Sequence, residues 1–322
     1  MPNGQAINWS GYQWQLPTQT STPGTQQTSS YDPLQRMQNI DIQAGQNTLM
    51  SRGYTYDGVG YIIQRQTEEG EFTYGYDLLD RLTQAVPPQT LQNELPVESY
   101  AYDAVHNRIG SSQQAGAWAY NANNQLTQYG SGSAQVNYTY TETGHIATAT
   151  QAGQTTIYHY DASDRLVSIS KNGVEIANYQ YDPFGRRISK TVNGQAIYYL
   201  YTDEGLIAET DAQVNIQTAY GWQPDSMYGT APLWQANTNS SNLQGAEFHY
   251  LHTDHLGMVQ MVTDGNGEIT RKAQSEVFGK TISNAQNQIT MNLKCLRQHY
   301  SDELMKERQG DKLLFWFWNK VR

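Results

Sequence analysis

The densest group of residues able to do chemistry lies between His249 and Gly257. Imidazole nitrogens and carboxylate oxygens are ligands that zinc prefers, but in an extended strand His249 and His252 point to opposite faces. Only a turn could bring them onto one ion. We therefore interpret the segment as a turn at Thr253 and Asp254 with hydrogen-bonded imidazoles, and we predict no metal and no cofactor. The residues concerned are His252, Asp254, His255 and Gly257.

Other catalytic patterns are weaker. Cys295 and His299 have the i, i+4 spacing at which a histidine can activate a thiol on a helix, but a lone pair is a poor indicator. The sequence contains neither a Gly-x-Ser-x-Gly elbow nor a phosphate-binding glycine loop. The single cysteine excludes an intramolecular disulfide. The sequence predicts a protein that is not an enzyme.

Tyrosine–aspartate pairs recur along the chain at intervals of roughly 20 residues, the kind of period typical of repeat architectures. Asn121, Thr141 and Thr202 replace the aspartate in three copies; each can form the same side-chain turn, but none can replace a general acid. We therefore interpret the pairs as structural. The repeat tyrosines are Tyr56, Tyr76, Tyr102, Tyr160 and Tyr181, and the predicted turn residues are Asp57, Gly60, Asp77, Asp103, Asp161, Asp182, Pro183 and Gly185.

The best-defined turn is Asp182-Pro183-Phe184-Gly185. Aspartate at the first position accepts a backbone N–H, proline presets φ, and glycine tolerates positive φ, so we predict a type I turn closed by Gly185. A second turn lies midway in each unit, as in Asn172-Gly173, and Asn-Gly is a strong hairpin signal. Each repeat is thus two strands, and the chain is one long antiparallel meander.

These registered pairs resemble the YD repeat of the RHS family, which is shared with teneurins and insecticidal toxin complexes, over roughly residues 50 to 300. The resemblance implies an all-β fold: a hairpin meander that forms a curved open sheet or partial spiral shell, with a short helical C-terminal tail. It implies a non-catalytic shell that encapsulates or presents a variable or toxic C-terminal domain in bacterial competition. The segment from His252 to Gly257 is similar to part of the family's core scaffold. An Asp-Pro-x-Gly-Leu cleavage motif is missing after residue 281, so self-cleavage is not carried over.

Partners and location follow less directly. The resemblance implies the chain's own C-terminal cargo or the rest of a longer RHS shell as partner, with an immunity protein or cell-surface glycans as further possibilities. Up to Thr270 the chain carries 10 basic and 25 acidic residues, which argues against nucleic acid. We see no apolar run long enough for a transmembrane helix and no ordinary signal peptide. The resemblance implies a secreted or surface location, and the sequence leaves localisation open.

We expect three regions. Residues 1–46 read as a linker with a weak first repeat, partly disordered, because they are rich in Gln, Thr, Ser and Pro. Residues 47–280 form the repeat sheet, with a loop insertion at 223–245. Residues 281–322 form a divergent tail, helical over 302–314, whose apolar end at 315–318 covers the last strand. With about nine repeats we expect a fragment or orphan cassette. Two alternatives stay open: a carbohydrate- or cell-surface-binding module, and a small toxin carried by the tail.

Overall fold

A computed structural model of the chain describes residues 1–226, 231–277 and 287–293, and the backbone of residues 281–283. Almost all of this is antiparallel β-sheet, as predicted, in two open sheets. The first sheet has ten strands in sequence order. They are β1 Asn8–Gln13, β2 Leu16–Thr22, β3 Thr25–Tyr31, β4 Met37–Ala44, β5 Asn47–Tyr56, β6 Ile62–Thr67, β7 Gly70–Tyr76, β8 Leu82–Val86, β9 Glu98–Tyr102 and β10 Arg108–Ser111.

The second sheet has sixteen strands, again in sequence order. They are β11 Ala119–Tyr120, β12 Leu126–Tyr129, β13 Val136–Tyr140, β14 Ile146–Gln151, β15 Gln154–Tyr160, β16 Leu166–Lys171, β17 Val174–Tyr181, β18 Arg187–Val192, β19 Gln195–Tyr201, β20 Leu206–Thr210, β21 Ile216–Trp222, β22 Pro232–Ser240, β23 Glu247–Thr253, β24 Val259–Thr263, β25 Ile269–Ser275 and β26 Thr281–Ser283. Two single-turn 3₁₀ helices lie in the connections at Gln89–Leu91 and Gly132–Ala134.

The two sheets continue into each other although the backbone ladder is interrupted between β10 and β11. The Tyr120 hydroxyl donates a hydrogen bond of 2.7 Å to the carbonyl of Arg108. The Asn107 side-chain amide donates to the Asn124 side chain at 3.1 Å. These bonds cross from the first sheet to the second, so the chain forms one long strip of meandering hairpins.

A meander places alternate turns on opposite edges of the strip. We call the edge that carries the Tyr-Asp turns the repeat rim; it holds the turns that follow β1, β3, β5, β7 and β9 in the first sheet and those that follow β11, β13, β15, β17, β19 and β23 in the second. The other edge, the opposite rim, holds the midway turns such as Asn172-Gly173.

The strip also has two distinct faces, because successive side chains of a strand point to opposite sides. We call the side that carries the first tyrosine of each repeat the tyrosine face. Six of these first tyrosines are buried, at no more than 6% exposure, and Tyr74 is half-buried; the six are Tyr54, Tyr100, Tyr138, Tyr158, Tyr179 and Tyr199. Tyr138, Tyr158 and Tyr179 pack with Leu126, Tyr129 and Ile169 in the largest hydrophobic cluster. We call the other side the outer face.

The structure corrects two of the expected boundaries. Residues 1–46 are not a linker, since β1 to β4 occupy most of them, each pairs with the next strand, and β4 pairs with β5. Composition misled here, because Thr-, Ser- and Gln-rich strands pair through their backbone and their tyrosine face is covered by the last strands: Ile40 and Ile42 pack against Met261, more than 200 residues away. The expected loop at 223–245 contains β22, Pro232–Ser240, which pairs with both neighbours.

The predicted helix at 302–314 and the apolar end at 315–318 lie outside the described residues. The described residues contain no helix that is both long and apolar enough to cross a membrane.

Candidate functional site

The turn at Asp182 is closed by the aspartate side chain. Its Oδ1 accepts the backbone N–H groups of Phe184 and Arg186, each at 2.9 Å, and its Oδ2 accepts Arg186 Nε at 2.6 Å. The Gly185 N–H donates to the Asp182 carbonyl at 3.0 Å, and Gly185 has φ of 79°. Pro183 occupies the second turn position. Both oxygens of the Asp182 carboxylate therefore accept hydrogen bonds from residues of its own turn.

The other predicted turn aspartates have the same arrangement. Asp57, Asp77, Asp103 and Asp161 each accept the backbone N–H groups two and four residues on. Gly60 closes its turn with φ of 104°. The hydrogen bond from the Arg165 side chain and that from its backbone hold the pKa of Asp161 below its ordinary value. A carboxylate that is already ionised and bonded in this way is a poor proton donor.

The second tyrosine of each repeat ties neighbouring strands together at the repeat rim. Its hydroxyl donates to the carbonyl at the start of the preceding strand, as in Tyr181 to Leu166 at 2.8 Å and Tyr102 to Leu82 at 2.8 Å. Each bond locks one hairpin to the hairpin before it. The same bond is made by Tyr56 to Met37, Tyr76 to Ile62 and Tyr160 to Ile146.

The histidine segment forms a turn between β23 and β24. Asp254 Oδ1 accepts the N–H groups of Leu256 and Met258, and Gly257, at φ of 72°, donates to the Asp254 carbonyl. His252 is buried, with Nε2 at 2.9 Å from the Thr263 hydroxyl. His255 instead packs its ring on Tyr54, 4.5 Å between centroids. The three histidines thus have separate surroundings.

Burial lowers the pKa of all three histidines, that of His252 to about 4. In the described residues, no three His, Cys, Asp or Glu side chains are grouped as a metal site would require.

The contacts of β23 to β25 show that the strip is rolled up. Met261 of β24 lies on the outer face with its cross-strand neighbour His252, opposite to Leu251 and Val262. Met261 nevertheless packs against Ile40, Ile42, Met50 and Tyr54, which lie on the tyrosine face of the first sheet. The outer face of the last strands therefore rests on the tyrosine face of the first strands. We call this contact the seam.

Polar contacts reinforce the seam. Lys272 of β25 lies 2.5 Å from Glu68 and 3.0 Å from Glu69, and Arg52 contacts Glu68 from the other side. The turn at Gly24 meets the turn at Gly267 so closely that a Cβ on Gly24 would lie 2.1 Å from the Gly267 nitrogen. Residues more than 200 positions apart in the chain are thus brought together at the seam without a backbone ladder between them.

The tyrosine face of the same last strands is covered by the extended segment 287–293. Met291 and Leu293 pack into a cluster with Tyr220, Trp222 and Leu251. The side-chain amide of Asn292 donates to both oxygens of buried Glu209, at 3.0 Å each. Gln235 Nε2 donates to the Thr290 carbonyl at 2.8 Å. The last strands are consequently enclosed between the first sheet and an inner polypeptide segment.

Two groups of residues that stabilise the turns and the seam were not predicted from the sequence. The arginine four residues after the turn aspartate, as in Asp182 and Arg186, forms an ion pair that recurs with the same spacing; the repeated Asp-x-x-x-Arg pattern could have revealed it. Met261, Lys272 and Glu68 of the seam carry no such signal, because only the rolling of the strip brings them together.

The family is decided by the match to known sequences. A family model described as Teneurin YD-shell matches residues 9–295. The chain belongs to this family. The resemblance to RHS proteins and teneurins drawn from the Tyr-Asp repeats is therefore confirmed, and the YD-shell is a structural shell fold.

Relatives of this YD-shell chain include both toxins and teneurins. It is 29% identical over 285 residues to double-stranded DNA deaminase toxin A of Burkholderia cenocepacia, covering 79% of this chain and 19% of that protein. It is 30% identical over 226 residues to the tRNA3(Ser)-specific nuclease WapA of Bacillus spizizenii, covering 66% of this chain and 9% of that protein. Human teneurin-4 is 22% identical over 276 residues, covering 80% and 9%. The YD-shell chain thus spans less than a fifth of each relative.

Solved structures agree with the fold. The Tc holotoxin pore of Photorhabdus luminescens, with the mutation TccC3-D651A, matches with a TM-score of 0.62 at 17% identity, covering 89% of this chain and 16% of that one. TcdB2-TccC3 matches with a TM-score of 0.59 at 17% identity, covering 88% and 16%. The rolled strip is therefore a YD-shell segment with toxin-associated relatives.

Proposed function

We propose that this chain is a non-catalytic segment of a toxin-associated shell that encloses a polypeptide cargo, in the service of bacterial competition. Its partners are C-terminal cargo or further stretches of the same kind of shell. The observation that carries the proposal is the segment 287–293, an irregular stretch of polypeptide held inside the rolled strip.

The contacts of that segment suggest how cargo is held. Met291 and Leu293 use the aromatic surface of the tyrosine face, which accepts apolar side chains of many shapes. Gln235 binds a backbone carbonyl, a group that every polypeptide offers. A lining of this kind can hold extended chain with little demand on its sequence, as a shell for variable cargo requires.

The absence of a poised reactive group in the candidate site favours a structural role. The turn aspartates accept N–H groups of their own loops, and Asp77, Asp161 and Asp182 also pair with an arginine. The buried histidines make separate contacts. The deaminase and nuclease names belong to relatives more than five times as long as the matched segment. We therefore place any such chemistry in the cargo.

The test is protease protection of a short peptide tag. We would append the tag after Arg322 of the full chain and, as a matched control, before Met1 of the same chain. We expect the C-terminal tag to be cleaved much more slowly than the N-terminal tag. Equal cleavage rates for the two tags would overturn the enclosure proposal.

A seam variant makes the test specific. Lys272→Glu places a third carboxylate beside Glu68 and Glu69, which should open the seam and speed cleavage of the C-terminal tag. Adding Glu69→Lys restores an opposite-charge pair and should restore protection. Protection that persists unchanged in Lys272→Glu, with the fold intact by circular dichroism, would show that the seam does not enclose the cargo.

A further inference from the structure

A buried carboxylate lies where the inner segment 287–293 crosses the tyrosine face. Glu209 of β20 is the cross-strand partner of Tyr199, so its side chain lies on that face, and the residue is only 2% exposed. Its Oε1 accepts the Tyr220 hydroxyl at 2.5 Å, and both of its oxygens accept the side-chain amide of Asn292 at 3.0 Å. Asn292 thus links the inner segment to this carboxylate.

The repeat itself does not demand a carboxylate at this position. The residues opposite the first tyrosine in three earlier repeats of the second sheet are Ala149, Ile169 and Lys190. Glu209 therefore departs from the pattern of the strip at the place where the inner segment passes. Burying an ionised carboxylate is costly unless hydrogen-bond donors surround it, so Glu209 depends on the donors that it meets there.

Both donors suit an ionised carboxylate. Burial, and then the charge of Glu209, raise the pKa of the Tyr220 hydroxyl well above its ordinary value, so the hydroxyl keeps its proton. The primary amide of Asn292 donates hydrogen bonds and carries no charge of its own. An ionised aspartate has nearly the same shape but only accepts, and leucine offers no donor. Glu209 therefore discriminates between side chains at position 292 that differ little in size.

The contacts on either side of Asn292 fix its register. Met291 and Leu293 are buried in the hydrophobic cluster of the last strands, and Gln235 Nε2 donates to the Thr290 carbonyl. Four consecutive residues are thus held, three of them through apolar side chains or a backbone carbonyl, which many sequences supply. The amide at position 292 is the contact of these four that makes a strict chemical demand.

We propose that Glu209 is an anchor selective for asparagine in the chain that leaves the strip, and that it fixes the residue at which the enclosed cargo begins. This inference rests on the proposed enclosure of cargo and adds its point of attachment. Because recognition is confined to residues 287–293, the sequence after Leu293 can vary without altering the anchor. A shell of this kind holds different cargoes in one register.

Oxidation of methionines by hydrogen peroxide tests the anchor in the full chain. Met291 of the inner segment is 3% exposed and Met261 of the seam is fully buried, so peptide mapping by mass spectrometry follows both sites in one sample. Asn292→Asp sets a second carboxylate against Glu209 and should free the segment. Oxidation of Met291 should then be faster by about tenfold or more, the effect of losing hydrogen bonds to a charged group, while Met261 is unchanged.

A second substitution should reverse the effect. Adding Glu209→Gln to Asn292→Asp supplies an amide that donates to the carboxylate at position 292 and a carbonyl that still accepts the Tyr220 hydroxyl. The amide–carboxylate pair is then restored with its roles exchanged. We expect oxidation of Met291 in the double variant to return towards the slow rate of the unaltered chain.

Thr290→Asp is the matched control. It adds the same charge two residues away, at an exposed position of the same segment, and should leave oxidation of Met291 slow. An unchanged rate in Asn292→Asp would overturn the proposal, as would an equal rise in Thr290→Asp or a double variant that stays fast. A parallel rise at Met261 would also overturn it, because the contact would then stabilise the whole fold and not select a segment.

Failure of the enclosure proposal would be seen in a different measurement. If the tags after Arg322 and before Met1 are cleaved at equal rates while oxidation of Met291 changes as expected, enclosure is wrong and the anchor stands as a site for the inner segment. If the C-terminal tag is protected but Met291 does not respond to Asn292→Asp, enclosure stands and the anchor is wrong.

Discussion

Acid should weaken this fold through His252. The side chain is 3% exposed, its Nε2 lies 2.9 Å from the Thr263 hydroxyl, and no carboxylate of the described residues is paired with it. Its neighbour on the adjacent strand β24 is Met261, and the neighbour of Met261 on β25 is Lys272. Neither side chain stabilises an imidazolium ion. Burial consequently lowers the pKa of His252 from 6.5 to about 4.

The sign and size of the effect follow from this difference. Between pH 6.5 and about 4 the unfolded chain binds a proton at this position that the folded chain refuses, so stability is fully present above pH 6.5 and falls as the pH falls. At about 1.4 kcal/mol per pH unit, the loss attributable to His252 is about 3 kcal/mol by pH 4. Burial also lowers the pKa values of His249 and His255, which add to the loss of the whole protein.

Urea unfolding at pH 7 and at pH 4 measures the effect. His252→Gln keeps a group that can bond to Thr263 but cannot titrate, so it should lose about 3 kcal/mol less than the unaltered chain on acidification. His159→Gln is the control, because His159 is exposed on the outer face of β15 and should leave the acid loss unchanged. An equal acid loss in His252→Gln and the unaltered chain would refute the assignment of His252 to a buried, uncharged position in the seam.

Three further predictions concern the turns and the rim. Gly185→Val should destabilise by about 1–2 kcal/mol through backbone strain alone, since φ is 79° and nothing lies within 4 Å of the added Cβ; exposed Phe184→Ala should stay within about 0.5 kcal/mol, and thermal melts in the reverse order would contradict the turn. Val214→Gly should raise stability by about 1 kcal/mol, because Val214 has φ of 64°; a lower melting temperature would count against it. Tyr181→Phe removes the bond to Leu166 and should cost about 1 kcal/mol in urea unfolding; an unchanged midpoint would show that the rim tie is not stabilising.

Much of the local structure could be predicted from the sequence, for a physical reason visible at Asp182. Its carboxylate accepts hydrogen bonds from residues two and four positions later, so every group that forms the turn lies in one short stretch of sequence. Strand alternation likewise placed His249 and Leu251 on one face and His252 on the other, because that alternation belongs to any extended backbone. The all-β meander and its family follow from the repetition of these local signals.

The hydrogen bonds from the second tyrosine of each repeat to the preceding strand could be predicted only in part from the sequence. Tyr181 bonds to Leu166, 15 residues earlier, so the bond exists only once two hairpins stand side by side. Because the repeats are regular, one such hydrogen bond is enough to infer the others. No short sequence pattern predicts the first one. The same holds for the bridge from Tyr120 to Arg108 that joins the two sheets.

The rolling of the strip was decided by tertiary structure alone. Each strand adds a small twist, and the sum over more than twenty strands brings Met261 onto Ile40 and Lys272 onto Glu68. The accumulated twist cannot be predicted from any short stretch of sequence. This is why residues 1–46 resemble a linker in composition yet form four strands, and why the acid-sensitive position of His252 is a property of the seam and not of its neighbours in the chain.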